Sequence, residues 1–202
     1  MTSQMEECFK HTDLEWRLAQ IPDSACCRGV FLNMLDERAA EFGRATHLAY
    51  RDFFKTSQFS AFRLYPVKDY LTRLAKLAEI QFGPSNIYSG IFTIQAAAWP
   101  AWRKTIVGRT AFAVVGNNIS AILRMMSSTF NKILNFSTFE VNQLDAALFS
   151  TRFHNQYVYI EHAMAGALSG VAEACGYQAE LKVTLDDPFN GTIQMHLLPP
   201  KG

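Results

Sequence analysis

The sequence predicts an α+β fold: a helical N-terminal two-thirds, then hairpin, helix and hairpin, giving a four-stranded antiparallel sheet packed by helices. Three observations carry that expectation. Near the C-terminus, Ala179, Leu181, Val183 and Leu185 alternate with Glu180, Lys182, Thr184 and Asp186. Ile193, Met195 and Leu197 alternate again after Asn190-Gly191, a pair suited to a type I′ turn. Upstream, Phe139 and Val141, then Phe149, Thr151 and Phe153, keep the same period of two on either side of a turn at 142–145. Between these hairpins, residues 155–175 place Ala163, Gly166, Ala167 and Gly170 at helical spacing, with Gly176 as the stop. Small side chains let a helix come close to its neighbour, so this helix is expected to cover one face of the sheet.

The N-terminal elements follow from punctuation and periodicity. Residues 1–22 read as a polar lead with a short apolar patch of Leu14, Trp16, Leu18 and Ile21. Asp23 or Ser24 can cap a helix that buries Val30, Phe31, Met34 and Leu35 and stops at Gly43. The segment through His47 and Phe53-Phe54 reads as a connection. Pro66 opens an amphipathic helix with Val67, Tyr70, Leu71, Leu74 and Leu77 on its apolar stripe, ended by Gly83-Pro84. Residues 85–104 form a second helical stretch carrying Trp99 and Trp102, in which Pro100 is expected to kink or divide the helix. Shorter helices are expected over 109–115 and 119–134. No repeat or linker divides the chain, so residues 23–198 are expected to form a single ligand-binding-like domain.

Composition narrows the function classes. Nearly half of the 202 residues are hydrophobic (49%), with 18% charged, which suits a folded core and not a disordered chain. Nineteen basic against eighteen acidic residues leave +1, too little for a bulk attraction to nucleic acid or to an anionic membrane. The N-terminal residues, with Glu6 and Glu7, do not read as a secretory signal. The best apolar run, 163–172, falls short of the roughly 18 residues that a membrane span requires. Cys8, Cys26, Cys27 and Cys175 lack Cys-x-x-Cys spacing and read as reduced thiols of a cytoplasmic protein, two of them in the core.

Catalytic motifs are missing. There is no phosphate-binding glycine-lysine loop, no dinucleotide fingerprint after a strand and no serine elbow. Val115-Gly116-Asn117-Asn118 reads as a turn between helices. Asp186-Asp187 reads as an Asp-capped turn, since adjacent strand residues point to opposite faces. Glu161-His162 lacks the second histidine that a helical zinc pair needs. The expectation is therefore a protein that is not an enzyme and carries no cofactor or metal.

Several segments in order resemble a paralogous family of unknown function found mainly in myxobacteria. They are Arg28-Gly29-Val30-Phe31, Leu64-Tyr65-Pro66-Val67-Lys68-Asp69-Tyr70, Val107-Gly108-Arg109, and the small-residue helix with its terminal hairpin. The resemblance covers about residues 22–198. The element order is also similar to a wider fold group of four-vinyl-reductase domains, heme–nitric-oxide-binding sensors and Golgi-transport lipid-binding subunits. That likeness implies an apolar ligand held between helices and sheet, or a surface used for dimerisation. The heme sensors carry Tyr-x-Ser-x-Arg for the heme propionates; the matching window here is Leu148-Phe149-Ser150-Thr151-Arg152, with Leu148 in place of tyrosine. The axial histidine expected over 119–134 is missing, so heme is not expected.

Sixteen phenylalanines read first as a large core, and as its alternatives an apolar pocket or a dimer face. Trp99, Trp102, Phe149 and Phe153 are the candidate pocket walls, and Arg109 and Arg152 the candidate anchors for an acidic head group. The leading expectation is a sensory or adaptor domain of bacterial signalling that binds a small apolar or lipid-like ligand, or a protein partner. The first alternative is a homodimer or docking module without a ligand. The second is an enzyme on a hydrophobic substrate, with His154 or His162 as general base.

Overall fold

The computed structural model describes residues 14–55, 58–104 and 106–198; the side chains of 101, 102, 104, 106–108, 111, 132 and 133 lie outside that description. The chain gathers into two compact units. One comprises residues up to Ile87 together with Leu134–Phe136, and the other Tyr88–Ile133 with the chain from Ser137 onward.

The first unit contains α1 (Leu14–Gln20), β1 (Cys26–Arg28), α2 (Gly29–Glu41), α3 (Arg44–Phe53), β2 (Leu64–Pro66) and α4 (Val67–Phe82). The stripe expected on α4 is its buried face, with Val67, Leu71, Leu74, Leu77 and Ala78 in the core. Three elements depart from the sequence expectation. The expected lead contains α1, which buries Arg17 and is followed by the buried Ile21. The helix expected from Asp23 starts at Gly29, because residues 26–28 pair antiparallel with β2, Cys27 opposite Tyr65. The expected connection through His47 is α3, which buries Tyr50 and follows Gly43 at φ 114°.

Arg73 of α4 is buried between the rings of Phe54 and Phe59, at 4.2 and 4.8 Å from their centroids. Burial pushes the neighbouring Tyr50 phenol up to about 12, although the Arg73 charge beside it pulls the other way. Asn135 completes this unit from far along the chain. Its Oδ1 accepts from Cys26 N at 2.8 Å, and its Nδ2 donates to Ser24 O at 2.8 Å.

The second unit holds α5 (Ile87–Lys104, from Tyr88 onward), α6 (Ile106–Val115), α7 (Ile119–Ile133), β3 (Thr138–Gln143), β4 (Leu148–His154), α8 (Ala165–Ala174), β5 (Gln178–Asp187) and β6 (Asn190–Leu198). The helix α5 continues through Pro100 and is not divided there. The four strands form one antiparallel sheet, as expected, and their order is β3-β4-β6-β5. Its inner face presents Phe139, Phe149, Thr151, Phe153, Ile193, Met195 and Leu197, all buried. The apolar ones pack with Ile119, Ile122, Leu123 and Met126 of α7 and Leu168, Val171 and Ala172 of α8. The other face carries Glu140, Ser150, Arg152, Lys182, Gln194 and His196, none of them buried.

Three local features of this unit differ from expectation. The turn of the first hairpin is 144–147 and not 142–145, because Asn142 and Gln143 pair with Ser150 and Phe149. The turn of the last hairpin is Pro188-Phe189, not Asn190-Gly191, since Asp187 pairs directly with Asn190. Asp187 selects it: Oδ1 accepts from Phe189 N at 2.7 Å and Asn190 N at 2.9 Å, and Asn190 Nδ2 donates to Oδ2 at 2.8 Å. Upstream, the helix expected from residue 155 begins later, with a wide turn over Ile160–Met164 ahead of α8. Asn155 has φ 52°, and the buried Gln156 fixes the bend by donating its amide N–H to Phe189 O at 2.8 Å and Nε2 to Ser137 Oγ at 3.2 Å.

Burial raises the Asp187 pKa, but hydrogen bonds from Phe189 and Asn190, with the Arg152 charge, outweigh it and hold the carboxyl below its ordinary value. A lowered folded pKa stabilises the hairpin at pH above the ordinary carboxylate range, and this contribution is lost as pH falls through the folded value. Asp187→Ala is expected to cost about 1 kcal/mol at neutral pH. It should also flatten the stability profile below about pH 4. Urea melts at neutral and acid pH check this; an unchanged acid limb in the variant would exclude Asp187 as its source.

Candidate functional site

The described part of the second unit contains an open depression of about 480 Å³, lined by Pro100 and Arg103 of α5, Arg109 of α6, and Glu173 and Ala174 of α8. Arg103 is fixed there by three contacts. Its Nη1 donates to the Ala174 carbonyl, its Nη2 to Asn117 Oδ1 at 3.0 Å, and its guanidinium lies 4.6 Å from the Phe112 ring centre. A cation at the last carbonyls of α8 complements the negative end of that helix. Burial pushes the adjacent Cys175 thiol up to about 11 against the pull of Arg103, so it stays protonated at neutral pH. Arg109 is exposed and makes no ion pair among the described residues. Two arginines against one glutamate give the rim a net positive charge.

The expected site residues are distributed as follows. Trp99 is half-buried on α5 and packs against the core of its unit. Trp102 follows on the same helix, and its side chain lies outside the described residues. Arg109 lines the depression. Phe149 and Phe153 are on the inner sheet face at 1% and 2% exposure, Phe153 stacked on Phe139 with centroids 5.6 Å apart. Arg152 is on the opposite face, where it pairs with Asp186 and donates to Thr192 Oγ1 at 3.1 Å. The strand therefore does not bring Arg152 together with the two phenylalanines flanking it in sequence.

Sequence reasoning passed over Arg103. Its one signal is position: it falls one helical turn after Trp99, on the same side of α5. A second cluster surrounds the wide turn, where the His162 ring stacks on Tyr88 at 5.0 Å and Tyr159 meets Tyr88 edge-on at 5.3 Å. His154 lies apart from it, in register with Thr138 on the exposed sheet face. Among the described residues Cys26, Cys27 and Cys175 are free thiols, the latter two buried as expected, and no three His, Cys, Asp or Glu side chains gather as a metal site. Burial pushes the Cys27 thiol up to about 12. No described helix is long and apolar enough to cross a membrane.

This architecture is shared with the H-NOX domains. The unliganded Fe(II) H-NOX protein of K. algicida is similar to this chain with a TM-score of 0.56 and 15% identity, over 87% of this chain and 98% of that one. The S. oneidensis protein in its Fe(II)NO state gives 0.63 and 12%, over 85% and 99%. A mutant of Tt H-NOX gives 0.68 and 10%, over 87% and 97%. At these identities the likeness is one of fold. No curated protein matches the chain. The chain belongs to the family described as "Protein of unknown function (DUF2378)", whose model matches residues 21–195.

The residues present do not fit the heme that this fold can hold. Ser150 and Arg152, the two residues that match the expected propionate motif, face away from α7, and Arg152 is committed to Asp186 and Thr192. The helix α7 carries no histidine or cysteine. Its thioethers, Met125 and Met126, would ligate heme iron beside an imidazole and not instead of one.

Proposed function

We propose that this chain is a sensory or adaptor domain that recognises a small molecule with an apolar body and an acidic head, and performs no chemistry on it. The observation that carries the reading is the exposed Arg109, without an ion pair among the described residues, on the rim of the Arg103 depression, on a fold that includes an H-NOX protein solved in its Fe(II)NO state. With the heme residues replaced, the same architecture is left to take a different ligand. Arg103 is tied to Ala174 and Asn117 and serves as the fixed wall; Arg109 supplies the free donors for a carboxylate or phosphate. Glu173 on the same rim opposes an incoming anion, and the two arginines outweigh it.

The test is native mass spectrometry of the protein as purified, with thermal shift across fatty acids and aromatic carboxylates. A ligand is expected to raise the melting temperature with concentration. Arg109→Ala, an exposed change, is expected to leave the fold intact and weaken binding by roughly tenfold or more, the scale of one charge-assisted hydrogen bond. A clean apo mass with no shift across the panel would remove this reading.

A further inference from the structure

The turn over residues 58–63 is pinned to the start of α2 far more firmly than a solvent loop needs. Asn33 brackets Phe59, donating Nδ2 to its carbonyl at 2.9 Å and accepting its N–H at 3.0 Å. Gly29 N donates to Arg63 O at 2.9 Å and Val30 N to Ala61 O at 3.1 Å. Ser60 N donates to the Tyr65 hydroxyl at 3.1 Å, and Arg28 Nη1 donates to Phe62 O. Gly29 makes this closure possible, because a Cβ there would run into the Ser60 carbonyl and stand 2.8 Å from the Tyr65 ring.

What the pinned turn presents is apolar. Phe62 is 84% exposed, the highest value among the large apolar side chains described, with Val30 at 40% and Leu64 at 45% on the strands and helix it is bonded to. The charged side chains within the two segments that build it are basic, with Asp23, Asp36 and Asp69 just outside them. Residues 24–35 and 58–68 contain Arg28, Arg63 and Lys68 and no Asp or Glu. Lys68 is paired with Asp23 at 2.6 Å, which leaves the two arginines flanking the tip. An exposed apolar patch rimmed by charge marks an interaction surface. A stable protein interface takes about 800 Å² from each partner. Three side chains on a projecting turn supply far less. A bilayer needs no matching relief: it admits a projecting aromatic at the acyl boundary and, when anionic, attracts the flanking cations.

We propose that this turn is a peripheral membrane-docking tip. Phe62, with Val30 and Leu64, enters the acyl boundary of an anionic bilayer, and Arg28 and Arg63 meet the lipid phosphates. The chain-wide charge of +1 supplies no bulk attraction, so docking is local, weak and reversible.

The experiment is cosedimentation of the full chain with vesicles of phosphatidylcholine alone or with about one-third phosphatidylglycerol. Binding is expected to the anionic vesicles only. Phe62→Ser should weaken it by roughly tenfold. Arg63→Gln, or salt raised toward 1 M, should weaken it by about fivefold. Phe62→Ser should keep the melting temperature of the parent, which separates lost docking from lost folding, and Arg109→Ala should bind vesicles normally. Absence of binding, equal binding to neutral vesicles, or full binding by Phe62→Ser overturns the proposal. So does Phe62-dependent self-association in sedimentation without vesicle binding, which would make the tip a protein contact.

Discussion

Gly170→Leu is expected to destabilise the second unit by about 3 kcal/mol, at the upper end of the cost of forcing bulk into a filled interior. At roughly 2–4 °C per kcal/mol for a chain of this size, its melting transition should fall by about 6–12 °C. The reason is the approach of α8 to α5. A Cβ on Gly170 would be built into the Ala96 carbonyl oxygen, and one on Gly166 into the Phe92 carbonyl, both well inside van der Waals contact. Backbone cannot rotate aside as a side chain can, so the helices must separate. Glycine in a helix interior costs about 1 kcal/mol relative to alanine. An alanine at 170 recovers that amount while meeting the same clash, and should fall between parent and leucine. Circular dichroism melts of the three proteins test the order. Equal melting temperatures would show that α5 can shift freely and that the contact is not close in solution.

Truncating Phe149 or Phe153 to alanine is expected to cost about 3–5 kcal/mol each, the range for an aromatic removed from a filled core. Both are essentially inaccessible, and Phe153 belongs to a ring series through Phe139 to Phe130, with the latter pair 5.8 Å apart. A residue that walls a ligand pocket behaves differently when cut back. Its loss costs less, and the stability gained on adding ligand changes with it. Parallel melts with and without the ligand identified by thermal shift separate the two roles. A cost below about 1 kcal/mol, coupled to lost ligand stabilisation, would assign these rings to a pocket.

How far the fold was legible follows from where each signal lay along the chain. The sheet was legible because its strands alternate and lie in neighbouring hairpins. The helix α4 was legible because Pro66 and Gly83 bracket an unbroken stripe. By contrast β1 and β2 are three residues each and pair across both α2 and α3, so no local pattern announces them. The helix α3 follows Gly43 and buries only Tyr50 of its residues, so its low apolar content hides its amphipathic face from a reading of apolar stripes. The Asn190-Gly191 signal misled because Asp187 caps an earlier turn with its own carboxylate, a contact that outcompetes intrinsic turn preference. At the candidate site, Arg109 could be singled out by its motif. Arg103 could not, because its role depends on the α8 carbonyl and Asn117 meeting it in space.

Asn135 has a consequence for how the molecule must be made. It stands 109 residues after Cys26, yet it closes the hydrogen bonding of the segment that opens β1. The N-terminal unit thus waits for a clasp that is translated only after α5, α6 and α7 have emerged. A fragment ending at Ile87 would lack that clasp and leave the Cys26 amide and the Ser24 carbonyl without it. Long-range closure of this kind slows folding. Dissection of the protein into autonomous halves should therefore fail at the N-terminal piece unless residues 134–136 are supplied with it.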